Sequence, residues 1–144
     1  MSVLVWDGIS LAADRALNDG HVVVVSDKIW EYKQSIIAGV GIINDIMMMK
    51  SWVMDGCNKH QFPKVTATSC FVVVKPGTGL IRYTVSPFAI AHGFNKCAFG
   101  TGRDFAYGAL ACGATAEEAV RAASIYDLHS GKGATSFRLG RILQ

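Results

Sequence analysis

Ser2 is the residue whose type and position together could do chemistry. It follows Met1 directly, and serine is small enough that removal of the initiator methionine is expected. Removal leaves a hydroxyl and a free α-amine on one residue. Such an amine has a reference pKa of about 7.7–8.0, so near neutral pH it can take the proton of the adjacent hydroxyl as a general base. A serine in that state is a nucleophile carrying its own base. The chain must then hold it still. Val3 to Trp6 and Ile9 to Ala13 are apolar-rich runs flanking Asp7-Gly8. Asp-Gly between such runs predicts a two-residue hairpin turn with positive φ at both positions. A hairpin this close to the start leaves almost no free tail before Ser2. The same residues also fit an ordinary first hairpin with an ordinary serine.

Other patterns of possible chemical interest fail on spacing. Gly39-Val-Gly41, Gly100-Thr-Gly102 and Gly131-Lys-Gly133 invite a phosphate-loop reading. That motif needs a glycine five residues before Gly131, where Tyr126 stands, and a Ser or Thr after Lys132, where Gly133 stands. The helix expected after Ile43 lacks the glycine pattern that cradles a pyrophosphate. Cys57, Cys70, Cys97 and Cys112 form no C-x-x-C pair, and Cys57-x-x-His60 is half a ligand set. No His-Glu-x-x-His occurs. Neither a metal nor an organic cofactor is expected, and reduced structural thiols are the default.

The 144 residues predict one domain spanning 1–144, long enough to bury roughly 68–70% of its unfolded surface. A net charge of +3, dispersed along the chain, gives no argument for nucleic acid. No apolar run reaches the ~18–20 residues of a membrane span, and the start lacks the features of a secretory signal. A cytoplasmic protein is expected. The chain is 51% apolar, and that excess predicts self-association.

The elements that must position Ser2 follow from pattern. Val22 to Val25 has the β-branched composition of a buried strand, after a polar loop turning at Asn18-Asp19-Gly20. Lys28 to Tyr32 alternates as a half-buried strand, and Ile36-Ile37-Ala38 is a third. Ile46, Met49, Trp52 and Val53 form a helical stripe, capped by Asn44 or Asp45 and stopped near Gly56. Cys70 to Val74 and Leu80 to Val85 flank Pro76-Gly-Thr-Gly79 as a hairpin. Phe88 to His92 and Cys97 to Phe99 are short strands. A helix after Gly102 carries Phe105, Ala109 and Cys112 on one face and closes at Gly113. Thr115-Ala-Glu-Glu118 is a capping box opening a helix to about Tyr126 that buries Ala116, Ala119, Val120 and Ala123. A final strand spans Thr135 to Ile142. Strands clustered apart from helices predict α+β layers: two sheets with helices outside.

With the elements in order, a resemblance emerges. Ser2-Val-Leu-Val-Trp-Asp-Gly…Leu-Ala-Ala-Asp14, Lys28-Ile, Ala38-Gly-Val-Gly41, Phe99-Gly-Thr-Gly102 and Tyr126-Asp-Leu-His-Ser-Gly131 together resemble a proteasome β-type subunit. Bacterial HslV and small phage-type members are the nearest kinds. The resemblance implies a four-layer αββα N-terminal-nucleophile (Ntn) hydrolase sandwich. The chain is short for that family, without its second long helix or its C-terminal extension. It implies that Ser2 stands at the nucleophile position, usually Thr, with Asp14 and Lys28 as the acid and lysine beside it. Gly41 would supply the oxyanion N–H, while Thr101, Asp127 and Ser130 would hold the α-amine and a water. The implied activity is a threonine-peptidase-family hydrolase cleaving peptides with a serine nucleophile once Met1 is gone. Its partners would be peptide or unfolded-protein substrates, copies of itself in an oligomer such as a ring, and an ATPase unfoldase. Two other activities are compatible: a non-catalytic assembly protein of this fold, and an Ntn amidase for small amides.

Overall fold

The computed structural model describes residues 2–18 and 23–142. Its strands are β1 (Val3–Trp6), β2 (Ser10–Asp14), β3 (Ala16–Asn18), β4 (Val23–Val25), β5 (Ile29–Tyr32) and β6 (Ser35–Val40). Helix α1 (Ile43–Met54) precedes β7 (Cys70–Lys75), β8 (Gly79–Tyr83), β9 (Ile90–Gly93) and β10 (Cys97–Gly100). Then come α2 (Arg103–Ala111), α3 (Ala116–Tyr126), β11 (Ala134–Arg138) and the short α4 (Leu139–Ile142). One large sheet runs β10-β1-β2-β11 and a second β5-β6-β7-β8-β9, while β3 and β4 form a two-stranded ribbon; all the pairings are antiparallel.

The period-2 alternation of the strands sorts the core into layers. Leu4, Trp6, Leu11 and Ala13 point inward, meeting Ile36, Ala38, Val72, Val74 and Leu80 of the other sheet. Val3, Val5 and Ala12 point outward against Ala106 and Leu110 of α2 and Ala116, Ala119, Val120 and Ala123 of α3. On the opposite outer face, Ile37, Phe71 and Val73 receive Ile46, Met49, Trp52 and Val53 of α1. The result is helix, sheet, sheet, helix, the four-layer sandwich expected. Between α1 and β7 the chain forms only a 3₁₀ turn, Lys59–Gln61.

Several local expectations change. β1 ends at Trp6 and β2 begins at Ser10, so the first loop spans Asp7 to Ile9 rather than two residues, and of the Asp-Gly pair only Gly8 has positive φ. Asp7 is the reason. Its Oδ1 accepts the N–H groups of Ile9 at 2.8 Å and Ser10 at 2.7 Å, closing an Asx-type turn. Its Oδ2 accepts the Ala116 N–H at 2.8 Å and ties the hairpin to the start of α3. Neither Asn44 nor Asp45 caps α1, whose cap is Ile42 without a side-chain bond, because Asp45 is engaged by the loop before β7. Val25, expected in a buried strand, is 55% exposed at the end of β4, and Val22 lies outside the described residues along with the turn at Asp19-Gly20. On α2 the buried residues are Ala106 and Leu110, while Cys112 lies exposed beyond its end. Phe105 turns outward onto the Tyr126 ring, centroids 5.7 Å apart. The last strand stops at Arg138, where the chain turns into α4 and the Leu139 N–H bonds the Ile9 carbonyl at 3.0 Å.

Candidate active site

Asp14 ends β2, and its side chain, like that of Lys28, is fully buried. The Lys28 ammonium donates to Asp14 Oδ1 at 2.6 Å and to the Ala16 carbonyl at 2.8 Å. The same Oδ1 accepts the Val3 N–H at 3.1 Å, and Oδ2 accepts the Gly131 N–H at 3.0 Å. One carboxylate thus joins the residue after Ser2, the lysine just before β5, and the loop before β11. The alternation of β5 marked Lys28 as the polar start of a half-buried strand; it is instead wholly inside. Burial pushes its ammonium below the ordinary 10.5, and the Asp14 charge and hydrogen bond oppose that shift without cancelling it.

Ser2 itself is 1% exposed. Its carbonyl accepts the Gly102 N–H at 3.3 Å. Gly100 has φ +98°, and a Cβ there would sit 2.0 Å from the Ser2 carbonyl oxygen, so no other residue fits at this approach. The Thr101 hydroxyl lies 3.4 Å from the same oxygen and 2.8 Å from Asp127 Oδ2. It has one proton to give, and the shorter contact takes it. Ser130 donates to that same Asp127 oxygen. Burial raises the Asp127 pKa, but hydrogen bonds from Ser130, Thr101 and the His129 N–H, with the charge of His129, outweigh it and hold the carboxyl below 3.8. The structure therefore joins Asp14 and Lys28 to the backbone N–H that follows Ser2, and groups Thr101, Asp127 and Ser130 in a second cluster whose Thr101 hydroxyl lies 3.4 Å from the Ser2 carbonyl oxygen.

Gly41 follows β6 with φ +119°, and a Cβ there would meet Ser69 Oγ at 2.3 Å. Among the described residues, no hydrogen bond joins Gly41 to Ser2. Its neighbours Val40 and Ser69 line a cleft of about 340 Å³ together with Gly100 and Thr101, which places it beside that cleft. Three residues that sequence reasoning missed fix this segment. Asp45 Oδ2 accepts from the Thr66 N–H at 3.1 Å, the Thr66 hydroxyl at 2.8 Å and the Ser69 hydroxyl at 2.8 Å, and Ser69 Oγ accepts the Ile42 N–H at 3.1 Å. The available signal was an acidic residue in the first turn of a helix that did not cap it.

No protein-family model matches the chain, and no curated protein sequence matches it. Solved structures do. BPH of Thiobacillus denitrificans aligns with a TM-score of 0.72 at 17% identity, over 96% of this chain and 97% of that one. The same protein in complex with epoxomicin gives 0.71 over the same shares, also at 17% identity. HslV of Trypanosoma brucei gives 0.66 at 16% identity, over 95% and 97%. At such identities the likeness is one of fold, and the fold is the HslV- and proteasome-type Ntn sandwich.

Proposed function

We propose that this chain, trimmed to Ser2, is an Ntn hydrolase that cleaves peptide bonds with Ser2 as nucleophile. The observation that supports it most is the buried Lys28–Asp14 pair bonded to the backbone N–H next to Ser2. An ion pair with both side chains out of water is expensive to keep and adds little to stability over an apolar pair of the same volume. A confined ammonium near a hydroxyl has a chemical use: it lowers the cost of the forming alkoxide.

In the reaction, the α-amine of Ser2 takes the hydroxyl proton as Oγ attacks the substrate carbonyl carbon. The carbonyl π pair moves onto oxygen, and the Gly41 N–H stabilises that oxyanion, a contribution of roughly 2.7–4 kcal/mol per donor where measured. The C–N bond then breaks, the protonated α-amine returns its proton to the leaving amine, and Ser2 is left as an ester. Water, deprotonated by the same amine, opens the ester and regenerates the hydroxyl. Thr101, Asp127 and Ser130 orient the amine and that water. The apolar side chains left outside the core, Ile125 at 73%, Tyr126 at 70% and Leu128 at 95% exposure, favour a homo-oligomer, in which an ATPase unfoldase would feed substrate. Among the described residues no helix is long and apolar enough to cross a membrane.

Intact mass establishes whether Met1 is gone. Epoxomicin, the ligand of the T. denitrificans BPH structure, is then incubated with the parent chain and with Ser2→Ala. The expected result is one adduct on the peptide beginning at Ser2, absent from Ser2→Ala, with loss of amide hydrolysis in that variant. Equal hydrolysis by both chains rejects Ser2. A retained Met1 with no hydrolysis turns the reading to a non-catalytic assembly protein.

A further inference from the structure

Arg82 lies on the wrong side of its strand for a charge. In β8, Leu80 faces the layer between the sheets, whereas Tyr83 packs in the cluster under α1. Residues two apart share a face, so Arg82 points inward with Leu80. Its partner across the ladder, Val72, belongs to the same inner layer. The guanidinium carbon stands 5.2 Å from the centre of the Phe99 ring. Its Nε is buried and donates to nothing, and no carboxylate pairs with Arg82 among the described residues.

Arg82 also lines the cleft beside Ser2, with Arg103 at the rim and Thr68, Ser69 and Thr84 adding hydroxyls. No Asp or Glu lines it. Asp45, behind Ser69, already accepts three hydrogen bonds from Thr66 and Ser69. Arg103 is held in place by a bond from its guanidinium to the Gly100 carbonyl at 3.2 Å. The His92 ring stands edge-on to Phe99 at 5.4 Å, and burial, with the nearby Arg82 charge, keeps it below its ordinary pKa. A guanidinium without a counter-ion, half withdrawn from water, is costly unless something else brings the negative charge.

We infer that this cleft is a carboxylate subsite, which takes an acidic side chain or the terminal carboxylate of a peptide beside the bond that Ser2 attacks. It rests on the Ser2 reading for which bond is cleaved, and on Arg82 alone for what is bound. Planar N–H donors of Arg82 match two carboxylate oxygens, and such charge-assisted bonds are about twice as strong as neutral ones.

The test is equilibrium binding to the Ser2→Ala chain, which separates binding from turnover. Three probes are compared: acetyl-trialanyl-glutamate amide, acetyl-trialanyl-glutamine amide, and acetyl-trialanyl-glutamine with a free C-terminus. At least one carboxylate peptide is expected to bind about tenfold tighter than the neutral amide. The peptide that does so tells side chain from terminus. Arg82→Gln should erase the discrimination, Arg82→Lys should keep part of it, and Arg103→Gln should lower it by a smaller factor. Thermal unfolding reports whether Arg82→Gln is folded; if it is not, the Lys variant and Arg103→Gln carry the comparison. Equal binding of all three probes, binding of none, or discrimination that survives loss of the Arg82 charge overturns the inference. Epoxomicin labelling is scored separately on the parent chain, so a failed nucleophile and a failed subsite give different results.

Discussion

Lys28→Met removes the ammonium and keeps the length of the stem. Both members of the pair are fully buried, and the bond lost is the 2.6 Å contact to Asp14 together with the 2.8 Å contact to the Ala16 carbonyl. The carboxylate then stays inside with two backbone donors, Val3 and Gly131, and no cation. Leaving one member of a buried pair unpaired costs about 3–5 kcal/mol. With a urea m-value of about 2 kcal/mol/M, a 4 kcal/mol loss lowers the midpoint by about 2 M. Against a total of about 5–15 kcal/mol this is severe, and truncating Lys28 therefore disturbs the fold as well as the chemistry. The assay is urea unfolding of the parent, Lys28→Met, Asp14→Asn and the double variant. The double variant should recover more than half of the loss, because no charge is left buried. A single-variant loss under about 1 kcal/mol, or no recovery in the double variant, would refute the buried-pair argument.

Three further outcomes follow from other parts of the molecule. Gly100→Ala combines positive φ with a 2.0 Å clash against the Ser2 carbonyl and should cost more than about 3 kcal/mol, whereas Gly77→Ala, with φ +79° and open space, should cost only about 1–3; both are read by thermal or urea unfolding. Burial pushes the Cys97 thiol up to about 12 and Cys70 up to about 11, so iodoacetamide near pH 8 should label exposed Cys112 first in the native chain, as peptide mass mapping will show. Asp127 has a folded pKa below its unfolded one, so its contribution is full above 3.8 and is lost as pH falls through the folded value. The parent should therefore be more stable than Asp127→Asn at neutral pH, and the gap should close in acid, measured by unfolding midpoints across pH.

The layers were legible because apolar periodicity is a property of neighbouring residues. The Ile46, Met49, Trp52, Val53 stripe and the Thr115 capping box both appear in the structure as read. Asp7-Gly8 misled because a carboxylate that reaches another element overrides the local preference of a turn. Only the fold reveals that Ala116, more than a hundred residues away, is its partner. Phe105 misled for a related reason: a short helix beside a second one presents its small residues inward and leaves the ring to stack outside. In the candidate site, Ser2, Asp14 and Lys28 could be named by resemblance, but the sharing of one Asp14 oxygen between Lys28 and Val3 could not. Arg82 lies in the Leu80 to Val85 run, and sequence reasoning gave it no role. Which face is inside depends on the register with β7, which no stretch of residues 80–85 encodes by itself.

The position of the first hairpin sets an order of events during synthesis. β1 and β2 are the two central strands of their sheet, and their outer neighbours are residues 97–100 and 134–138. The ribosome completes the hairpin at residue 14 and its last partner at residue 138, so at about 5–20 residues per second the hairpin waits roughly 6–25 s for it. Before residues 100 and 101 are made, the Ser2 carbonyl lacks the close approach of Gly100 and the Thr101 hydroxyl. In the finished fold Ser2 is 1% exposed. On the proposed Ser2 reading, an enzyme that removes Met1 would have its access on the nascent chain, and slower translation of residues 14–100 would lengthen that access without changing a residue.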